Sequence, residues 1–450
     1  MTPFASTKDL HAVTVHFFTR EMCFFGGEWK ILREFMEYDV DYFRRKLNTL
    51  ETGVRDKYAW YEMAASAPEY SIVTPPILKQ YYKATLGWCE KAVESLADRL
   101  IFREFSGDQF GVNDIFKNNN ADIFFDSAIQ SALISSCCFV HISMHKDSDI
   151  PRLDILEGYN ATGVIDPSTG LLKYGYAVLD RDELKSPTVE AYFTPYETIY
   201  YYKDRQKPEV ISHSAGQCLL VPIIYRPDAK RPFGRSRITK ALIYHQRYAK
   251  RTLERSDVTA EFYSFPQKYV LGTDPDLELD KWQATISTIL EISKGKDKDK
   301  PTIGQFTQPS MAPFIDQLRM SAALFAGESG LTLDDLGFVS DNPSSVEAIM
   351  ASHETLRLMA RKAQRNFGVN FKNVGYVAKC LEDNFAYKRS QFIDLKAKWE
   401  PIFEPNASTM SIMGDAAIKI NQAIPGFYDK ESFRDMTGIK GANNDWRYST

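Results

Sequence analysis

The sequence predicts a mixed α+β protein with more than one domain or subdomain. The chain has 450 residues, more than one hydrophobic core usually serves. Apolar residues recur at three- and four-residue steps in several long segments, which indicates amphipathic helices. Residues 151–225 instead alternate short apolar and aromatic runs with turn-forming residues, a pattern typical of strands and hairpins. The hydrophobic share of 44% and the charged share of 25% are ordinary for a globular protein.

The N-terminal part is predicted to be helical before the chain becomes β-rich. Helices are expected over residues 28–65 and 76–105 because of their apolar periodicity. The segment 122–145 is expected to begin as a helix and to pass into a strand at Cys138–Met144, where β-branched residues and cysteines gather. Strands and hairpins follow, and a polar loop at 226–238 ends this part.

Two helices flank a small insert in the second half. A long helix is predicted from Ser236 to about Tyr263. The insert is predicted to contain a strand ("PQKYVLGTD"), a short helix ("LDKWQATISTILEISK") and, after a solvated turn, another strand. The second helix, "PFIDQLRMSAALFAGESG", is expected to end at Gly327 and Gly330, because glycine readily ends helices.

The stretch "GFVSDNPSSVEAIM" changes abruptly from turn-forming to helical residues. Asn342, Pro343 and Ser344 favour a turn, and Ser344 with Glu347 fits a capping box at the start of a helix. This helix is predicted to continue to about Phe367. A strand-like segment around "KAKWEPIFEP" and two further helices complete the chain.

Charge and cysteine content exclude several classes of protein. A net charge of −4 gives no overall basic surface for nucleic acid, so any contact with DNA must be local. The six cysteines show no paired spacing and are predicted to be buried and reduced, as in a cytosolic protein. No signal peptide is predicted. The most apolar stretch, 127–144, carries Gln130, His141 and several serines, so it is expected to be a buried element and not a membrane span.

Motifs for phosphate binding, dinucleotide binding or a nucleophilic serine are absent from the sequence. His141 and His145 are four residues apart, but a strand is favoured there, and it would place the two side chains about 13 Å apart. His245 and His353 lie on apolar helix faces and are expected to be core or interface residues. We therefore predict no metal site, no cofactor and no catalytic residue.

The paired carboxylates of the sequence are predicted to be solvated or to cap helices. Asp39 and Asp41 are near neighbours, as are Asp334 and Asp335. Acid/base or two-metal catalysis needs carboxylates that come together from separate elements, and the sequence shows no such group.

A stripe of basic residues on the first long helix is a candidate interaction surface. Arg247, Arg251 and Arg255 recur every four residues. Two interpretations stay open. The stripe is either a solvated face balanced by Glu254 and Asp257, or a surface that meets phosphates or an acidic face of a neighbouring subunit.

The order of these elements resembles the portal proteins of tailed double-stranded-DNA bacteriophages, most closely those with long non-contractile tails. The segment "GLTLDDLGF…DNPSSVEAI" is the most specific part of the resemblance. The "GRSRI…FPQKYVLG" helix and the late strand–helix pair "KAKWEPIFEPNASTMSIMGDAAIKI" support it. The resemblance covers about residues 226–439. The first 225 residues match only in their general pattern of helices followed by a β-rich part.

The resemblance implies a portal fold with a wing, stem helices, an α/β clip, a tunnel loop, a long helix and a small crown. Residues 1–233 would form the wing, with a helical part followed by a β-rich part. The later regions would be stem helix 1 at 234–264, the clip at 265–313, stem helix 2 at 314–330, the tunnel-loop region at 331–344, the long wing helix at 345–367, a reduced crown at 368–385, and a strand and helices returning to the wing at 386–450.

The resemblance also implies a non-enzymatic function. Portal subunits form a ring, usually of twelve copies, at one capsid vertex, and DNA is packaged and ejected through it. The implied partners are further copies of the chain, double-stranded DNA bound without sequence specificity, the terminase large subunit, the head–tail adaptor, and the major capsid and scaffolding proteins. No membrane partner is implied. The subunit would reside in the virion and, during assembly, in the host cytoplasm.

The implied site residues lie in the loop and the clip. The candidate DNA-channel residues of the tunnel loop are Phe338, Val339, Ser340, Asp341 and Asn342. The candidate clip residues for binding the terminase or the adaptor are Lys294, Lys296, Lys298 and Lys300. From the residues alone, the same lysine-rich segment is expected to be a solvated turn.

Two alternatives remain open at this point. The first is a metal-dependent DNA-processing enzyme that uses Asp334 and Asp335. It would be a monomer or dimer, and Asp335→Asn would abolish its divalent-metal-dependent cleavage. The second is another head or tail protein that forms rings but does not conduct DNA.

Overall fold

The computed structural model contains both helices and sheets, which confirms the predicted α+β class. It describes residues 14–17, 20–25, 28–31, 38–64, 83–144, 149–264, 268–271, 302–305, 310–338, 351–403, 405 and 407–438.

A small antiparallel sheet and a long helix form the N-terminal part. The sheet has the order β1 (Thr14–Phe17), β2 (Arg20–Phe25), β3 (Glu28–Ile31). Helix α1 (Val40–Tyr61) begins at Asp39, whose side chain accepts a hydrogen bond from the Tyr42 amide at 2.7 Å, as expected for a capping carboxylate. The prediction of a helix from residue 28 was therefore wrong at its start. In "EWKI" polar and apolar residues alternate, which favours a strand.

The next elements are α2 (Trp88–Ala97), β4 (Phe102–Ser106), α3 (Val112–Asn118), α4 (Ala121–Ser135) and β5 (Cys137–Ser143). The change from helix to strand near Cys138 is confirmed. The predicted helix over 76–105 was too long at both described ends: residues 83–87 are not helical, and residues 102–106 pair with a distant strand.

Residues 151–225 form strands, as predicted. They are β6 (Arg152–Leu156), β7 (Ala161–Ile165), β8 (Leu172–Arg181), β9 (Pro187–Phe193), β10 (Glu197–Tyr202), β11 (Glu209–Ser212) and β12 (Leu220–Ile224). Five of them make an antiparallel sheet in the order β11-β10-β9-β8-β7. The other two pair with β5 in the order β12-β5-β6.

Two helices follow, and a strand pair lies between them in the chain. Helix α5 (Lys240–Ser264) precedes β13 (Lys268–Leu271), which pairs antiparallel with β14 (Thr302–Gln305). Helix α6 (Ala312–Ser329) then packs along α5. Gly330, with a left-handed φ of +70°, ends α6 as predicted, whereas Gly327 lies inside the helix. The short helix predicted between the two strands lies outside the described residues.

The last elements are α7 (Glu354–Glu382), β15 (Lys396–Trp399), α8 (Ala407–Ala423) and α9 (Lys430–Thr437). The predicted helix end at Phe367 was wrong, because α7 continues through Gly368 and Gly375. A Cβ at Gly368 would lie 2.9 Å from the Cβ of Ala397, and a Cβ at Gly375 would collide with Val112. These glycines permit close packing of the helix and do not end it.

One large hydrophobic core joins α2, α3, α4, β5, β12 and α7. Phe371 of α7 lies in an aromatic cluster, with its ring centroid 4.7 Å from that of Phe125 and 6.2 Å from that of Trp399. A smaller cluster packs the start of α1 against the five-stranded sheet through Phe43, Leu47, Tyr176, Val178 and Tyr192. The five cysteines whose side chains are described are free and buried: Cys89, Cys137, Cys138, Cys218 and Cys380. Among the described helices, none has both the length and the apolar character needed to span a membrane.

Candidate functional site

The candidate site consists of the α5/α6 helix pair and the base of the loop that follows it. Buried residues of the pair include the small Ala249, Ser321 and Ala322, which allow the two helices to approach closely. The ring of Phe325 lies 5.4 Å from that of Trp88, so α6 is also attached to α2. Helix α6 also exposes large apolar side chains, Met320 and Leu324 on one side and Ile315 near its start on another.

Arg237, three residues before α5, fastens the pair to the body of the protein. Its side chain is buried, with only 4% exposed. Its Nε donates to the carbonyl oxygen of Ala92 at 3.1 Å, its Nη2 donates to that of Ser329 at 2.5 Å, and its Nη1 lies 3.1 Å from the sulfur of Met359. Burial lowers the pKa of this guanidinium. One side chain thus connects the start of α5 with α2, the end of α6 and α7.

Two more polar side chains support this junction. The Gln246 side chain accepts a hydrogen bond from the Cys89 amide at 2.7 Å and donates one to the Leu86 carbonyl at 2.6 Å. Lys57 donates to the Ile238 carbonyl at 2.7 Å, and burial lowers the pKa of its ammonium group. Sequence reasoning missed Arg237 and Gln246 as functional positions. Gln246 is a polar residue at a position that helical spacing makes internal, whereas Arg237 stands in a basic and polar run and gave no such signal.

The structure divides the predicted basic stripe into two parts. The guanidinium of Arg247 lies 5.3 Å from the ring centre of Trp60, and that of Arg251 lies 5.6 Å from the ring centre of Tyr248. The Nε atoms of both arginines are buried and have no hydrogen-bond partner in the described part of the chain. Arg255 is exposed. A purely solvated face therefore does not describe Arg247 and Arg251.

The base of the predicted tunnel loop is a hydrogen-bonded turn. Both the amide and the hydroxyl of Thr332 donate to Asp335 Oδ2, at 2.8 and 2.9 Å, and the Asp335 amide donates back to the Thr332 hydroxyl at 3.2 Å. The Phe338 amide donates to the Leu333 carbonyl at 3.1 Å, and the Phe338 side chain packs partly against the core. Phe338 is thus fixed to the body. Val339, Ser340, Asp341 and Asn342 lie outside the described residues.

His353 joins this turn to the start of α7. Its Nδ1 lies 3.8 Å from Asp335 Oδ2, and its ring centre lies 6.1 Å from that of Phe403. His353 occupies the N-terminal cap position of α7 and not the interior of the helix. The predicted capping box of Ser344 and Glu347 lies outside the described residues, as do Lys294, Lys296, Lys298 and Lys300.

The residues considered for metal chemistry have other roles in the structure. Asp335 caps the turn described above, and Asp41 forms an ion pair with Arg44 at 3.0 Å. His141 is buried in β5, and burial lowers its pKa to about 4. His245 is half-buried on α5. Across the described ranges, no group of three or more His, Cys, Asp or Glu is placed to hold a metal ion.

Comparisons with known proteins found relatives in bacteriophages. No family model matches the chain. A portal protein of Mycobacterium phage D29 is 24% identical over 418 residues, which cover 87% of this chain and 84% of the relative. A portal protein of Mycobacterium phage L5 is 24% identical over 396 residues, which cover 83% of this chain and 80% of the relative.

Solved structures give weaker matches. The neck of a native gene transfer agent particle, computed with C12 symmetry, has a TM-score of 0.44 and 12% identity, with 86% of this chain and 99% of that chain covered. The neck of an empty particle, computed with C6 symmetry, has a TM-score of 0.45 and 12% identity over 84% of this chain and 97% of that chain. At this level, structural similarity alone does not establish a common fold. The sequence relatives, however, confirm the predicted resemblance, because over more than four fifths of its length this chain is similar to the portal proteins of two mycobacteriophages.

Proposed function

We propose that this chain is the subunit of a phage portal, a dodecameric ring at one capsid vertex through which double-stranded DNA is packaged and ejected. The observation that carries the proposal is the match to two mycobacteriophage portal proteins along most of both chains. The chain acts in this proposal as a conduit and a docking platform, not as an enzyme. Its location is the virion, and the host cytoplasm during assembly.

The α5/α6 pair supports the assignment of the stem. In the proposal, α5 and α6 are the two stem helices, and the segment between them, which includes β13 and β14, is the clip that docks the terminase large subunit and the head–tail adaptor. The exposed Met320 and Leu324, one turn apart on α6, suit a side of the helix that is covered in a ring, because exposed apolar side chains of this kind mark contact surfaces. A head-to-tail contact that is repeated from subunit to subunit closes into a ring when the rotation between neighbouring subunits divides a full turn evenly.

The turn at Thr332 and Asp335 supports the assignment of the tunnel loop. The turn fixes one end of the loop, and His353 ties that turn to the helix that follows. In the proposal, residues 339–342 project from this base toward DNA, while Phe338 anchors the loop. Helix α7 contains residues 354–367 of the predicted long wing helix (345–367) and residues 368–382 of the predicted crown (368–385), so a crown on this chain would be the end of that helix together with the residues to 385.

The charge of the chain suits a conduit. Each fixed cation that neutralises a phosphate strengthens non-specific attachment, so a strongly basic channel would hold DNA instead of letting it slide. The net charge of −4 avoids such a grip. Base-specific contacts are not expected, because a portal must pass the whole genome. The capsid and scaffolding proteins are the remaining proposed partners, at the outer wing.

Negative-stain electron microscopy of the purified full chain tests the proposal. We expect twelve-fold rings with an open central channel. Rings without a channel would instead favour a structural head or tail protein that does not conduct DNA. A monomer or dimer with divalent-metal-dependent DNA cleavage, abolished by Asp335→Asn, would overturn the proposal in favour of a nuclease.

A further inference from the structure

A groove between α7 and β15 combines positive charge with exposed apolar surface. It has a volume of about 740 Å³, and the residues important here are Leu358, Arg361, Arg365, Val369, Lys372 and Trp399. Leu358 is 55% exposed and Val369 is 53% exposed, although both lie on a helix whose other face is in the core. We call this surface the basic groove.

The cations of the basic groove form no ion pair with the described residues, although Glu354 lies near Arg361 and Asp394 lies near Lys372. Arg361 and Arg365 form no ion pair among the described residues, and no acidic side chain lines the groove there. The Nζ of Lys372 donates to the carbonyl oxygens of Ile393 and Leu395 at 3.2 and 3.4 Å. These bonds orient Lys372, whose charge is only partly offset by the nearby Asp394. Together with Arg361 and Arg365 it leaves the groove with an excess of positive charge, which favours an acidic occupant.

A surface of opposite character lies on the outer face of α4. Asp122, Ile123 and Asp126 are exposed there, because the adjacent Phe124 and Phe125 point into the core. Ile123 is 70% exposed and lies between the two carboxylates in the sequence. We call this surface the acidic face of α4. The like charges are close enough to oppose one another, since desolvation and repulsion from Asp122 and Asp98 raise the pKa of Asp126.

We propose that in the assembled ring the acidic face of α4 of one subunit binds the basic groove of the next. This inference rests on the proposed ring. The two surfaces belong to different elements, and no described ion pair joins them within one chain. A contact between them in two neighbouring subunits is therefore heterologous. Contacts of this kind generate rings. In this contact Ile123 fills the apolar part of the groove between Leu358 and Val369, and the surrounding charges fix the register.

A charge-reversal experiment tests the inference. The first variant carries Arg361→Glu and Arg365→Glu, and the second carries Asp122→Arg and Asp126→Arg. Native mass spectrometry of each full-length variant should show a fall of about tenfold or more in the ring fraction, because like charges then face each other. Mixed in equal amounts, the two variants should form rings again, since every contact in an alternating ring pairs opposite charges. The matched control carries Lys207→Glu and Asp204→Arg on the exposed β10–β11 turn, and it should form rings as the wild type does.

Other outcomes have distinct meanings. Wild-type protein that forms no rings would contradict the proposed function itself. Wild-type rings, together with normal rings of both variants alone, would overturn the α4–groove contact. If the first variant forms rings but loses binding to a short DNA duplex, the groove holds nucleic acid and the inference is wrong. Circular dichroism of each separate variant confirms folding, and a mixture of folded variants that stays monomeric would also overturn the inference.

Discussion

Arginine side chains contact other elements both at the start of helix α5 and in its middle, but the two sets of contacts differ in kind. At the entrance, Arg237 is buried and donates to two backbone carbonyls in other elements. In the middle, Arg247 and Arg251 lie against aromatic rings, and their Nε atoms have no hydrogen-bond partner among the described residues. Directional bonds thus fix the position of the entrance. Aromatic rings hold the middle of the helix, and the Nε donors there are buried.

The largest effect is expected where the directional bonds are removed. Arg237→Met leaves the carbonyl of Ser329, the last residue of α6, without this donor and removes one hydrogen bond from the carbonyl of Ala92, in a site closed to water. We expect the free energy of unfolding to fall by about 3 kcal/mol, since each unsatisfied buried group costs about 1–3 kcal/mol. Urea unfolding followed by circular dichroism measures this loss.

Arg235→Met is the matched control for that experiment. Arg235 pairs with Asp228 at the surface, so its removal should leave the free energy of unfolding nearly unchanged. Equal losses in the two variants would show that Arg237 does not fasten the junction.

A smaller loss is expected at the second polar contact of the junction. Gln246→Leu removes the partners of the Cys89 amide and the Leu86 carbonyl, and we expect a loss of about 2 kcal/mol in the same urea experiment. Gln246→Glu should be at least as destabilising, because it keeps an acceptor for Cys89 but buries a charge and loses the donor to Leu86. A stable Gln246→Glu protein would mean that water reaches this site.

The middle of α5 should respond more weakly. Arg247→Leu loses the interaction with the Trp60 ring, which is worth about 1 kcal/mol or less, and the apolar replacement can still pack on that ring. Arg255→Leu, at an exposed position, is the control and should have no measurable effect on unfolding. A loss at Arg247 as large as that at Arg237 would remove the distinction between the two regions.

The smallest effect on stability is expected at the loop. Deletion of residues 339–342 spares the Thr332–Asp335 turn and the Phe338 anchor, so thermal unfolding and ring formation should match the wild type. DNA packaging, or retention of packaged DNA, should be impaired in a packaging assay. Normal packaging by such rings would contradict the tunnel-loop assignment.

Part of this architecture could be predicted from the sequence, because it follows from local periodicity. The change from helix to strand at Cys138, the strands of 151–225 and the end of α6 at Gly330 were all predicted correctly. The secondary-structure predictions failed where long-range packing determines the structure. Residues 102–106 look helical in isolation but pair with β15, nearly 300 residues away in the chain. The long helix was predicted to end at about Phe367, but α7 continues, and the close approach of Gly368 to Ala397 depends on packing with a strand far along the chain.

The candidate site was less predictable than the fold. The basic stripe could be found because three arginines recur at helical spacing. Its division into ring-stacked and exposed members could not, because Trp60 lies on another helix. Arg237 stands in a run of basic and polar residues, "GRSRITK", which suggests a solvated segment. Its burial depends on carbonyl groups of α2 and α6, and no local pattern encodes them.

The continuity of α7 has a mechanical consequence. At about 1.5 Å per residue, its 29 residues make a rod about 43 Å long that starts beside the Thr332–Asp335 turn and carries Phe371 of the core. Glycine makes a helix easier to bend, but Gly368 and Gly375 are packed closely against Ala397 and Val112. Because neither glycine has room for the helix to bend, a displacement of the first turn of α7 is transmitted along the helix to Phe371 and the aromatic side chains around it.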